Sequence, residues 1–94
     1  MAQELLQRIQ QAILEHKYAF SEHAYDEMDA DNLDALDVEA AILTGAIDAV
    51  LTHDPRGVRY VIIGKGCDLV TPVAVVVRFN DDEKLLVITV YEIE

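Results

Sequence analysis

The chain has 94 residues, 18 of them acidic and 7 basic, for a net charge of −11. With 52% hydrophobic residues it is too apolar for a disordered acidic tail, and its charge works against non-specific binding to phosphate backbones. A single cysteine excludes an internal disulfide, and no apolar run approaches the ~20 residues a membrane helix needs.

The first stretch, from Ala2 to Glu15, repeats apolar residues at helical spacing (Leu5, Leu6, Ile9, Ala12, Ile13) with no glycine or proline. It carries Gln, Glu and Arg, unlike a secretory signal, so the expected location is the cytoplasm. Tyr18 to Ser21 reads as a short extended link. Ser21 suits a helix N-cap, with Glu22 and Asp26 favourable at the positive end of the dipole. The second helix then runs from Glu22 to about Asp29, with Ala24 and Met28 as its apolar edge. Asp34 or Asp37 caps a third helix that Gly45 ends.

After Gly45 the period changes from helical to two. Strands are expected over 46–53, 58–66, 72–79 and 84–94, joined by the turns "DPRG" and "NDDE". Val73, Val75, Val77 and Phe79 form one core face. The last strand is apolar on both faces, so it lies inside the sheet or is covered twice. Helices before strands make one α+β domain over 1–94: helices in about 2–45, and a four-stranded antiparallel meander in about 46–94.

The charge is segregated. Between Glu22 and Asp54 there are ten acidic residues and no Lys or Arg; from Pro55 onward five basic residues face six acidic ones. An acidic stretch of this kind keeps a protein soluble or meets a basic partner. Any phosphate chemistry must come from the second half. There, Arg59 and Lys65 are six apart on one strand and share a face, with Tyr60 between them and Arg78 on the next strand. Such cations grip a phosphate, or simply balance acidic helices as solvent-facing charges.

Other candidates are weaker. His23, Asp26 and Glu27 have the i, i+3, i+4 spacing of a metal site, but an acidic helix shows this often by chance. His16 and His53 are isolated. Cys67 beside Lys65 has no further feature of a nucleophile. "GKG" lacks the spacing of a phosphate-binding loop.

In order and spacing, Ser21, His23, Ala24, Met28, Gly45, Tyr60, Gly64, Pro72, Val75, Val76, Thr89, Val90 and Tyr91 resemble a small bacterial family of the DUF4258 type. The likeness spans Phe20 to Tyr91. Its pattern is S-x-H-A-x-x-R-M-x-x-R, then a helix ending in glycine, a strand with Tyr, then P-L-H-V-V and T-V-Y. The family is similar in outline to RelE-like and MqsR-like mRNA-cleaving toxins. The resemblance implies a RelE/barnase-like fold and a metal-independent endoribonuclease without cofactor. It also implies a cognate antitoxin as protein partner. His23 would be general acid or base; Arg59, Arg78 and Lys65 would hold the phosphate; Tyr91 or Tyr60 would stack on or orient a base. The chain departs from the pattern where it matters. The two family arginines fall on Glu27 and Asp31, and the P-L-H-V-V histidine falls on Ala74. The expectation is therefore a toxin-like domain with weakened or absent RNA cleavage. The alternative is a non-catalytic interaction module that binds through its acidic helical face or forms a homodimer through an edge strand.

Overall fold

The computed structural model describes residues 2–93. In chain order the elements are α1 (Ala2–Leu14), β1 (Tyr18–Phe20), α2 (Glu22–Ala30), α3 (Ala35–Thr44), β2 (Ala46–Leu51), β3 (Arg59–Lys65), β4 (Pro72–Phe79) and β5 (Leu85–Glu92). The architecture is α+β, and β2 to β5 form the expected antiparallel meander.

The sheet, however, has five strands, in the order β1-β5-β4-β3-β2, and is mixed. Tyr18–Phe20 is a strand that pairs in parallel with Leu85–Val87 of β5. Three residues are too few to show an alternation, so the sequence reads there as a link. The added strand makes β5 internal, which accounts for its two apolar faces. β2 also stops at Leu51, short of the expected His53.

All three helices cover one face of the sheet. Ile9 and Ile13 of α1, Ala24 and Met28 of α2, and Val38, Ala41 and Ile42 of α3 meet Ile62, Val73, Val75, Val77, Leu85, Val87 and Val90 in one cluster. The expected core face of β4 is correct: Val73, Val75 and Val77 are fully buried, and Phe79 closes the cluster under the Arg8 guanidinium, 4.7 Å from its ring centre.

Both aspartates proposed as the cap of α3 take part. The Asp34 carboxylate accepts the Asp37 N–H at 3.0 Å, and the Asp37 carboxylate accepts the Asp34 N–H at 3.1 Å, a reciprocal capping box. At the other end, Gly45 is not a left-handed terminator; its φ is −96°. Glycine is needed there because a Cβ would lie 2.5 Å from both the Ala41 and Ile63 carbonyl oxygens. Gly64 is tighter still, since its Cβ would fall 1.9 Å from the Ala41 oxygen. Helix α3 thus rests backbone to backbone on β3.

Both sheet edges are guarded. β1 is three residues long, and beyond it α2 lies along β5. On the far side, β2 carries a bulge, with Asp48 the extra residue between Ile47 and Ala49. Short edges, bulges and edge charges oppose strand-to-strand association.

Candidate functional site

Helix α2 is pinned along the free edge of β5 at both ends. At its start the Ser21 N–H donates to the Val87 carbonyl at 2.9 Å. The Ser21 hydroxyl accepts the Ala24 N–H at 3.0 Å and donates to the Ile88 carbonyl at 2.9 Å. At its end the Asp31 carboxylate accepts the Glu92 N–H at 2.9 Å. Ala24 and Met28 turn to the core, so His23, Glu27 and Asp31, spaced four apart, run along another side. Tyr91, next to Glu92 and 40% exposed, faces Ala74 across the ladder. Asp31 therefore lies beside Glu92 at the β5 edge, with Glu27 and His23 one and two turns back along α2; Ala74, one strand further in, takes the sheet face opposite the helices.

The His23 ring is solvent-exposed, and its Nε2 lies 3.2 Å from Glu27 Oε1 on its own helix. The S-x-H-A match and the short helix lead to the expectation that this ring approaches the sheet near Tyr91, Arg59 or Arg78; its polar partner instead is the carboxylate one turn on. An exposed i, i+4 pair of this kind fixes a ring orientation at small energetic gain.

The cations are spread along β3 and β4. Arg59 and Lys65 do share a face, the outward one, as alternation predicts. Lys65 stands opposite Pro72, two residues from Ala74. Arg78 is four residues from Ala74 along β4, about 13 Å at strand spacing. Arg59 is level with Arg78, one residue before the Tyr60–Val77 pair. It is also engaged: its Nε lies 3.3 Å from Asp54 Oδ2. This is charge proximity without hydrogen-bond geometry, because that buried nitrogen has no hydrogen-bond acceptor. Arg56 shares the same carboxylate, its backbone N–H donating at 2.9 Å and its Nε at 3.2 Å. The two Arg56 hydrogen bonds, and after them the two guanidinium charges, hold the Asp54 carboxyl below its ordinary pKa. Tyr60 is on the other side of the sheet, packed against the core, and does not join the outward residues.

A family model described as a domain of unknown function, DUF4258, matches residues 20–92. The chain belongs to the DUF4258 family. No curated protein and no solved structure matches it. The family match takes in α2 through β5, while α1, with Ile9 and Ile13, lies outside it. The matched span includes the positions where the resemblance described above expects two arginines and a histidine, and Tyr91. Those three positions hold Glu, Asp and Ala here.

The remaining candidates resolve into structural roles. Cys67 is exposed, and its N–H donates to Asp37 Oδ1 at 2.9 Å. Desolvation and the Asp37 charge raise its thiol pKa, the opposite of what a nucleophilic thiolate needs. Asp34, Asp37 and Cys67 lie within metal-ligating distance of one another, but the capping box and the Cys67 N–H already occupy the carboxylates. His16 lies in a cleft of about 530 Å³ between α1 and the β4–β5 turn. That cleft has no lining residue on α2, and its Arg8, Lys17 and Lys84 are matched by Glu15, Asp82 and Glu83.

Proposed function

We propose that this DUF4258 domain is a RelE-like toxin scaffold whose RNA cleavage is weak or lost, and which works as a protein-binding module. The observation that carries the reading is the set of residues at three positions of the family pattern. Glu27 and Asp31 stand where the family pattern has arginines, and Ala74 stands where it has histidine. A metal-independent ribonuclease needs cations at the scissile phosphate and a positioned acid or base. Two arginines replaced by acids change the local charge by four units: two positives lost and two negatives gained. The missing acid or base alone costs about 10²–10⁴-fold in rate. Arg59 and Arg78, the alternative phosphate clamp, lie level with the start of α2 and four residues along the strand from Ala74, and Arg59 is shared with Asp54.

The test is cleavage of single-stranded RNA by the purified protein in the absence of divalent metal. The expected result is no cleavage above background. Glu27→Arg, Asp31→Arg and Ala74→His together are expected to introduce it. Robust metal-free cleavage by the unaltered protein, abolished by His23→Ala, would overturn the proposal.

A further inference from the structure

The face of the sheet opposite the helices is the least explained surface of the molecule. Its floor is aliphatic: Val61 and Ile63 of β3, Ala74 and Val76 of β4, and Leu86 of β5 take outward positions by ladder register. None of them belongs to the core cluster, although Ala74 and Val76 are buried and the other three are half-buried. A sheet face that meets only water normally alternates to polar residues. This one does not.

Its charge is equally unusual. Arg59, Lys65 and Arg78, three of the seven cations of the chain, take outward positions on β3 and β4. No Asp or Glu holds a ladder-paired outward position on β2 to β5; Asp48, unpaired at its bulge, belongs to the edge strand. A molecule of net charge −11 thus presents an apolar floor flanked by Lys65 and Arg78, with Arg59 paired to Asp54 and Arg78 sharing a cleft with Arg56, Asp81 and Asp82. Screening limits the reach of the distant acids to about 8 Å at physiological salt, so this local field governs close contact.

We propose that this face is the docking surface for an acidic amphipathic helix of another protein. The inference rests on the binding-module reading and names its surface and partner. The apolar stripe of the helix would cover the aliphatic floor, and its carboxylates would meet Arg78 and Lys65. Size agrees. Four strands span about 15 Å, and β4 from Pro72 to Arg78 spans about 20 Å, which is the footprint of a helix of some four turns. That is well below the ~800 Å² per partner of a standard dimer interface. A second copy placed face to face would also set Lys65 and Arg78 against like charges. A second copy laid on through its acidic helices would form an open chain of contacts. Strand addition is opposed by the guarded edges. RNA finds one exposed aromatic here, Tyr91, and no stacking platform.

The experiment uses the full chain and a synthetic helical peptide with a leucine stripe flanked by glutamates. A lysine-flanked counterpart and oligouridine serve as competing probes. Binding is read by amide chemical-shift perturbation and by titration. The glutamate peptide is expected to shift residues 59–65, 74–78 and 86–91. Arg78→Glu combined with Lys65→Glu should weaken it at least tenfold. Lys17→Glu combined with Lys84→Glu, an equal change of net charge in the α1 cleft, should change it less than twofold. Arg78→Gln with Lys65→Gln serves if the reversed pair fails to fold. The proposal is overturned if the peptide leaves this face unshifted or shifts α2 and α3 instead. It also falls if the lysine peptide or oligouridine binds the face as tightly, or if sedimentation shows a dimer occupying it. A silent face with RNA left intact overturns this inference alone; RNA cleavage overturns the reading beneath it.

Discussion

Gly64→Ala is expected to be among the most damaging single-methyl additions the fold can receive. The new Cβ would lie 1.9 Å from the Ala41 carbonyl oxygen, 2.8 Å from its carbon and 2.9 Å from the Gly45 Cα. Ordinary contact at this position is about 3.4 Å, so α3 and β3 must separate by roughly 1.5 Å. Every obstructing atom is backbone, so no rotamer change relieves the clash. The displaced helix carries Val38, Ala41 and Ile42, all at 0% exposure, and a gap of this size forfeits much of their dispersion contact. Overpacking costs about 1–3 kcal/mol where side chains can yield, and a rigid obstruction adds to that. We expect a loss of about 4 kcal/mol against a total of ~5–14 kcal/mol for a domain of this size. That corresponds to a drop in Tm of roughly 16–30 °C. Urea unfolding and thermal melts followed by circular dichroism measure both. Ala41→Gly should not rescue the variant, because the obstruction is the oxygen and not the Ala41 methyl. A loss under 1 kcal/mol, or rescue by Ala41→Gly, would refute the packing argument.

Ser21→Ala removes both the cap of α2 and the donor to the Ile88 carbonyl, and should cost about 2 kcal/mol in urea unfolding. Ser21→Thr should recover most of it. Ser21→Asp should not, because a carboxylate caps the helix but cannot donate to Ile88. Burial, and then the hydrogen bond to the Glu39 carboxylate, push the Tyr18 phenol up to about 12. A phenol with a raised folded pKa lends stability that is complete below pH ~10 and lost as pH rises toward 12. Near-UV phenolate titration should show a late step that Tyr18→Phe abolishes. Asp68, which accepts hydrogen bonds from the Thr71 hydroxyl and the backbone of Val70 and Thr71, is held down to about 2. Its contribution to the β3–β4 hairpin is therefore present above pH ~4 and lost as pH falls toward 2, and amide exchange at Val70 and Thr71 should quicken in that window.

The switch of period at Gly45 made the helices and the meander readable, and β4 was readable to its last residue. β1 was not, because its pairing joins Phe20 to Val87 and three residues carry no periodic signal. Gly45 was correctly read as an ending but for another reason: the constraint is the approach of Ala41 and Ile63, which only the packed sheet creates. The shared face of Arg59 and Lys65 follows from alternation alone. Their position relative to α2 does not, since it depends on strand order and register. The cation-bearing face was hidden for the same reason: its residues are scattered over the second half among acidic turns.

The strand that receives β1, β4 and α2 is β5, the last of the elements in the chain. During synthesis the three helices and β1 therefore emerge before the strand they lean on exists. At about 5–20 residues per second, their apolar faces wait for seconds with no permanent partner. Folding of this domain waits on the emergence of β5 and is not a progressive build from the N-terminus. A ribosome stalled before residue 85 would hold a chain whose α2 has neither the Val87 and Ile88 carbonyls nor the Glu92 amide to anchor it. Such a nascent chain would be chaperone-bound and protease-sensitive, and would become resistant only once residues 85–92 clear the ribosome.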